Sequence, residues 1–214
     1  MDVFITGATG YIGNRLIDAL AARGHRVRAL ARPESANRVA AGAATVVGNA
    51  LDASTFAAAL TSSDTIVHLV GTPHPSPSKA AEFRRVDLPS ILASVEAARR
   101  ACAAHLVYVS VAHPAPVMEA YIAARSEGER AIAEAGLTAT ILRPWYVLGP
   151  GHRWPCLLVP LYAMARLIPS TRESARRLGL VTLSQMVDAL VRAVEHPPPA
   201  GQIRIVDVPQ IRSG

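Results

Sequence analysis

Residues 3–13 read Val-Phe-Ile-Thr-Gly-Ala-Thr-Gly-Tyr-Ile-Gly, and this run decides the fold. Val3, Phe4 and Ile5 form a short apolar strand, and Gly7, Gly10 and Gly13 follow it at regular intervals. Residues 14–23 then carry Leu16, Ile17 and Leu20 at helical spacing, with Gly24 where a helix C-terminal glycine belongs. Each glycine in the turn meets a physical need. Gly7 allows a tight exit from the strand, Gly10 lets backbone approach a pyrophosphate, and Gly13 lets the helix pack close to the sheet. The helix that begins here offers free N–H groups and a positive dipole end to an anion. A glycine turn without a ligand is the plainer alternative. The strand–turn–helix context, at the head of an alternating pattern, favours the phosphate-binding one.

Working outward, short apolar runs alternate with longer amphipathic ones. Strands are expected at 26–31, 44–48, 65–70, 105–110 and 138–142, with helices at 35–41, 53–60, 80–86, 89–100 and 118–135. Asp87 is placed to cap the helix that has Pro89 in its first turn, and Pro73, Pro75 and Pro77 mark 71–78 as a loop. This rhythm predicts an α/β fold: a doubly wound parallel sheet with helices on both faces. Beyond Arg143-Pro144 it loosens into a helix at 161–167, a helix at 184–195 and a last strand at 203–208. The expectation is one domain over 1–214, with 145–202 contributing a small substrate lobe.

Hydrophobic residues make up 50% of the 214 and charged residues 18%, which excludes an intrinsically disordered chain. The net charge of +6 could serve nucleic acid, an anionic surface or an anionic ligand. The cations, all arginine except Lys79, come singly or in pairs such as Arg84-Arg85 and Arg99-Arg100, with no aromatic residues interleaved with the pairs. No nucleic acid partner is therefore expected. Cys102 and Cys156 are too few for a disulfide framework, the histidines are dispersed, and no metal is implied. No cationic leader precedes Val3, and the apolar stretch 156–169 is interrupted by Pro160 and Arg166 and falls short of the about 20 residues a membrane span needs. The expectation is a cytoplasmic protein.

The G-x-x-G-x-x-G spacing, with Thr6 and Thr9, resembles the short-chain dehydrogenase/reductase superfamily, and in particular its atypical and extended members: NmrA-like proteins and NAD-dependent epimerase-like proteins. Gly48-Asn49-Ala50-Leu51-Asp52 stands where that family contacts adenine, with Asn49 in place of its usual Asp; Leu69-Val70-Gly71, Tyr108-Val109-Ser110 and Ile141-Leu142-Arg143-Pro144 match later strand ends in order. The resemblance implies a Rossmann-like fold and an NAD(P) site made by Gly7, Thr9, Gly10, Tyr11, Ile12, Gly13, Leu51, Asp52, Val70, Gly71 and Pro144. At the end of the second strand Arg32 stands where an acidic residue would hold the ribose hydroxyls of NAD. Its guanidinium suits the 2′-phosphate of NADP, with Arg28 or Arg38 assisting, so NADP is expected and NAD remains open.

Tyr121 and Arg125, four apart on one helix face, fall where the family carries Tyr-x-x-x-Lys. The resemblance makes Tyr121 the general acid/base, Arg125 the cation beside it and a ribose contact, and Ser110 the residue that steadies the substrate oxygen. Arginine supplies charge but no releasable proton. Trp145, Tyr146, His152, Arg153 and Trp154 gather where the family binds substrate; they wall a pocket or fill the lobe's core, and His113 follows Ser110 in its loop. Two functions stand: an NAD(P)-dependent oxidoreductase or epimerase-like enzyme acting on a small carbonyl or hydroxyl substrate, and a non-catalytic NAD(P)-binding redox sensor or accessory protein of the NmrA-like kind. The chain is expected to be a monomer or homodimer.

Overall fold

A computed structural model of the chain describes residues 1–115, 117–149 and 179–213. The strands are β1 (Asp2–Thr6), β2 (Arg26–Ala31), β3 (Ala43–Val47), β4 (Asp64–His68), β5 (His105–Val109), β6 (Ala139–Arg143), β7 (Tyr146–Leu148), β8 (Leu180–Thr182) and β9 (Ile203–Asp207). The helices are α1 (Tyr11–Ala22), α2 (Ala80–Glu82), α3 (Leu88–Ala101), α4 (Glu119–Glu134), α5 (Leu183–Glu195) and α6 (Val208–Arg212). Seven strands form one parallel sheet in the order β3-β2-β1-β4-β5-β6-β9, and β7 pairs with β8 in parallel beside it. The expected Rossmann-like, doubly wound sheet is what the chain forms.

Strand side chains alternate between faces, so each central strand feeds two cores. Val3, Ile5, Val67, Val107 and Leu142 pack with Leu16, Ile17 and Leu20 of α1 and with Met186, Leu190 and Val194 of α5. Phe4, Ile66, Leu106, Tyr108 and Ile141 pack on the other face with Ile91, Val95 and Ala98 of α3 and Ile132 of α4. α5 thus belongs to the core under the glycine turn, although it lies within the stretch expected to make the small lobe. Its start is fixed by a capping box in which the Thr182 hydroxyl accepts from the Gln185 N–H.

Several local expectations need correction. The helix expected at 35–41 is a 3-10 segment, Pro33–Arg38, because the Ser35 hydroxyl donates to the Arg32 carbonyl and offers the backbone a local alternative. The helix expected at 53–60 is two 3-10 turns, Ala53–Thr55 and Ala57–Ala59, interrupted at Phe56, whose φ is −141° and whose ring is buried. The two helices expected between 80 and 100 are one run, α2 and α3, joined by a π-turn over Phe83–Asp87. Pro89, lacking an N–H, cannot continue the ordinary hydrogen-bond ladder at this point. Asp87 does not cap a helix; its carboxylate turns inward to other partners. The helix expected at 161–167, and His152, Arg153 and Trp154, lie outside the described residues.

Candidate functional site

Strand order reverses between β1 and β4, and the chain leaves both at the same edge of the sheet, which is where an open α/β sheet forms a ligand crevice. The glycine turn is shaped by contact. Gly7 has φ +74°, and a Cβ on it would lie 2.7 Å from the Leu69 carbonyl carbon. A Cβ on Gly13 would lie 2.5 Å from the carbonyl oxygens of Gly7 and Ala8. The α1 helix begins at Gly10 with no side-chain cap and no acidic residue in its first turn. The N–H groups of the first helical turn have no acceptor within the helix, and an end of this kind suits a pyrophosphate.

Two cavities share this turn and form one groove. The first, about 380 Å³, is bounded by Thr9, Arg32, Asn49, Leu51, Val70 and Gly71, among others. Asn49 shapes its rim by accepting at its side chain from the Leu51 N–H, 3.0 Å away. The Asp52 carboxylate is committed to Ser54, accepting from its N–H and hydroxyl, and these bonds hold its pKa below the ordinary carboxylate value. Arg32 reaches the cavity wall while pairing with Glu34 at 3.2 Å, both side chains more than half exposed. Arg28 is occupied elsewhere, bound to buried Asp64 and the Ala59 carbonyl.

The second cavity, about 470 Å³, runs from Gly7, Gly10 and Gly13 to Tyr121, with Pro73, His74 and Pro75 on one side and Trp145, Tyr146 and Val147 on the other. Tyr11 crosses toward the end of β7: a Cβ on Gly149 would fall 1.6 Å from the Tyr11 hydroxyl oxygen, so the end of the tyrosine side chain rests against that backbone. The Tyr121 ring lies 4.9 Å from the Phe83 ring and 5.1 Å from the guanidinium carbon of Arg125.

Arg125 itself is 5% exposed and lines neither cavity. It donates to Asp87 Oδ1 at 2.7 Å and to the Val109 carbonyl at 3.0 Å. Asp87 accepts in addition from the Thr72 N–H at 3.0 Å and hydroxyl at 2.6 Å. A Cβ on Gly71 would lie 2.2 Å from Arg125 Nη2, so the guanidinium sits directly under the groove floor. Burial opposes its charge, but Tyr121, Tyr108 and Asp87 outweigh that and hold its pKa above the ordinary arginine value. Two tyrosines thus face one cation and differ in access. Tyr108 is fully buried and burial pushes its phenol up to about 12, whereas Tyr121 opens on the cavity.

Ser110, 2% exposed, donates to Glu129, which also binds Arg143 and lies 3.6 Å from His113 Nε2. The Pro144 carbonyl accepts from the Ala112 N–H at 2.9 Å. Ser110, Asp52 and Pro144 line neither of the two cavities. Beneath the turn, His68 bonds Thr6 and Ser94 and is held neutral, its pKa pushed down to about 3 by burial and then by the charge of Arg125. Thr72, Glu129 and His74 escaped the sequence reading, which took Asp87 only as a helix cap and Pro73 only as a loop residue. Among the described residues, no group of His, Cys, Asp and Glu is placed to hold a metal, and no helix is long and apolar enough to cross a membrane.

A family model described as NAD(P)H-binding matches residues 7–152. The chain is 29% identical to a ceramide reductase of Caulobacter vibrioides, over 96% of this chain and 64% of that protein. It is 33% identical to a 3-diazoavenalumate denitrifying reductase of a Streptomyces species, over 91% of this chain and 72% of that protein. Among solved structures, a UDP-galactose 4-epimerase superposes with a TM-score of 0.70 at 20% identity, covering 96% of this chain and 76% of that one. The chain therefore spans just under two thirds of the length of the first of these relatives.

Proposed function

Because the chain belongs to the NAD(P)H-binding family of the short-chain dehydrogenase/reductase superfamily, we propose that it is an NAD(P)H-dependent reductase of a small carbonyl substrate, with NADPH preferred and Tyr121 as proton donor. One observation carries this reading: an uncapped helix end in a glycine cradle opens into a groove that ends on a tyrosine ring. The N–H groups of Tyr11, Ile12 and Gly13 would hold the pyrophosphate, and Thr9, Leu51, Val70 and Gly71 would flank the adenosine half. Arg32 would exchange Glu34 for the 2′-phosphate.

The cofactor, when bound, supplies the hydride. Tyr121 Oη gives its proton to the substrate oxygen and is reprotonated from solvent. Arg125, pinned by Asp87, neither gives nor takes a proton; it supports the tyrosine ring from below. Pro73, Pro75 and Trp145 line the groove beside Tyr121. A second reading, a non-catalytic redox sensor, has its own support, since Arg125 and Ser110 are both committed to carboxylates.

A tryptophan-fluorescence titration with NADPH and NADH at one fixed salt concentration tests the cofactor assignment. Tighter NADPH binding is expected, weakened about tenfold by Arg32→Ala with NADH binding unchanged. An NADH preference would overturn the role given to Arg32, and binding of neither would overturn the enzyme reading.

A further inference from the structure

We infer that the cavity between α5 and the β6–β9 edge of the sheet is a binding site for a phosphate monoester, separate from the dinucleotide groove. The cavity holds about 440 Å³, and among the described residues it shares no lining with either end of the groove. Its shape follows from the sequence of α5. Ala189 and Ala193, four apart on the buried face of that helix, are too small to fill the space above Thr140. Below them the sheet departs from its apolar pattern. Val107, Leu142 and Val206 pack in the core on this face, and two positions before them in each strand stand His105, Thr140 and Arg204. Thr140 and Arg204 are register partners, and β5 pairs with β6, so these three residues form a polar row across adjacent strands.

The row ends on cations. Arg204 lines the cavity from the sheet, and Arg192 and His196 line it from the end of α5. The plainer role of such groups is to cap the helix, and part of them does so. Arg204 Nη1 donates to the His196 carbonyl at 2.7 Å, and His196 Nδ1 donates to the Arg192 carbonyl at 3.2 Å. Those bonds satisfy two carbonyls and leave the rest of the Arg204 fork, together with the Arg192 guanidinium, for another partner. The neighbouring carboxylates are engaged elsewhere: Glu195 holds Arg23 and His25, and Asp207 caps α6 with Gln210. Two guanidinium groups on one cavity, one from the strand and one from the helix, suit the charge and the paired oxygens of a phosphate dianion. Behind the wall, His105 is 2% exposed; its Nε2 lies 3.0 Å from the Thr140 hydroxyl oxygen and its Nδ1 meets no partner. Burial first and then the charge of Arg204 push its pKa down to about 4, which places that charge close to the row. Ile205 and Val206, with the two alanines, supply apolar wall for the organic group of an ester.

The test is calorimetric titration of the full chain with phenyl phosphate, inorganic phosphate and benzoate at one fixed ionic strength and about pH 7.5, where the ester is a dianion. Histidine ring resonances are followed by NMR alongside. Phenyl phosphate is expected to bind saturably, at least about fivefold tighter than inorganic phosphate or benzoate, and to move the resonances of His105 and His196. Arg192→Gln and Arg204→Gln should each weaken it about tenfold, while Arg32→Ala in the groove leaves it unchanged. An unchanged melting temperature of Arg192→Gln separates lost binding from lost folding. Absence of saturable binding, or binding that survives both arginine variants, would overturn the site. So would binding that Arg32→Ala abolishes, which would put the phosphate in the groove. Benzoate or inorganic phosphate binding as tightly as the ester would overturn the ligand class. None of these results bears on the cofactor assignment, which the NADPH titration tests separately.

Discussion

The two ends of the groove are made of different material. At the adenosine and phosphate end the contacts are offered by backbone: glycines whose Cβ atoms have no room, and N–H groups at an uncapped helix end. At the tyrosine end the surface is made of side chains whose positions depend on buried pairs drawn from distant parts of the chain, Asp87 with Arg125 and Ser110 with Glu129. A backbone site is fixed once the local turn is fixed. A side-chain site is only as fixed as the buried pairs behind it, and here an ion pair takes the cation and a hydrogen bond takes the serine that the family resemblance would place at the reacting atoms.

The largest expected effect lies at the tyrosine end. Asp87→Ala leaves the Arg125 guanidinium buried without its counter-charge, and loss of about 3–5 kcal/mol is expected in denaturant unfolding. A change below about 1 kcal/mol would mean that water or another group already serves Arg125. At the other end, Gly13→Ala forces a methyl group against two carbonyl oxygens and should cost about 1–3 kcal/mol of stability together with most of the NADPH affinity. Retained affinity would mean that the turn adapts and that backbone is a less rigid material than this comparison holds.

How far each end could be read beforehand follows from the same difference. The glycine spacing, the strand ends and the alternation that makes a parallel sheet were legible because they depend on neighbours in sequence. Tyr121 and Arg125 were legible as one helix face, four residues apart. What Arg125 does was not, because Asp87 lies on another helix and no spacing rule connects them. The 3-10 turns at 33–38 and 53–59 were misread as helix because Ser35 and Phe56 act through one hydrogen bond and one buried ring.

An effect of comparable size comes from two buried histidines, His68 beneath the glycine turn and His105 at the start of β5. Burial holds His68 neutral down to about pH 3 and His105 down to about pH 4 in the folded protein. The unfolded chain takes up these protons below about pH 6.5, so folding stability falls as pH drops through that window, by about 1.4 kcal/mol per pH unit for each histidine. His68→Gln should flatten the dependence of melting temperature on pH between those limits. An unchanged slope would assign the acid sensitivity to other groups.

The role of Tyr121 decides between reductase and sensor. The direct measurement is single-turnover decay of bound NADPH with a small aldehyde or ketone that the wild-type protein reduces, for the wild-type protein and Tyr121→Phe, with NADPH affinity measured alongside. A proton donor at Tyr121 predicts decay slowed by about 10²–10⁴-fold in the variant with affinity unchanged. Equal rates in the two proteins would contradict it and leave the groove as a dinucleotide site without this chemistry.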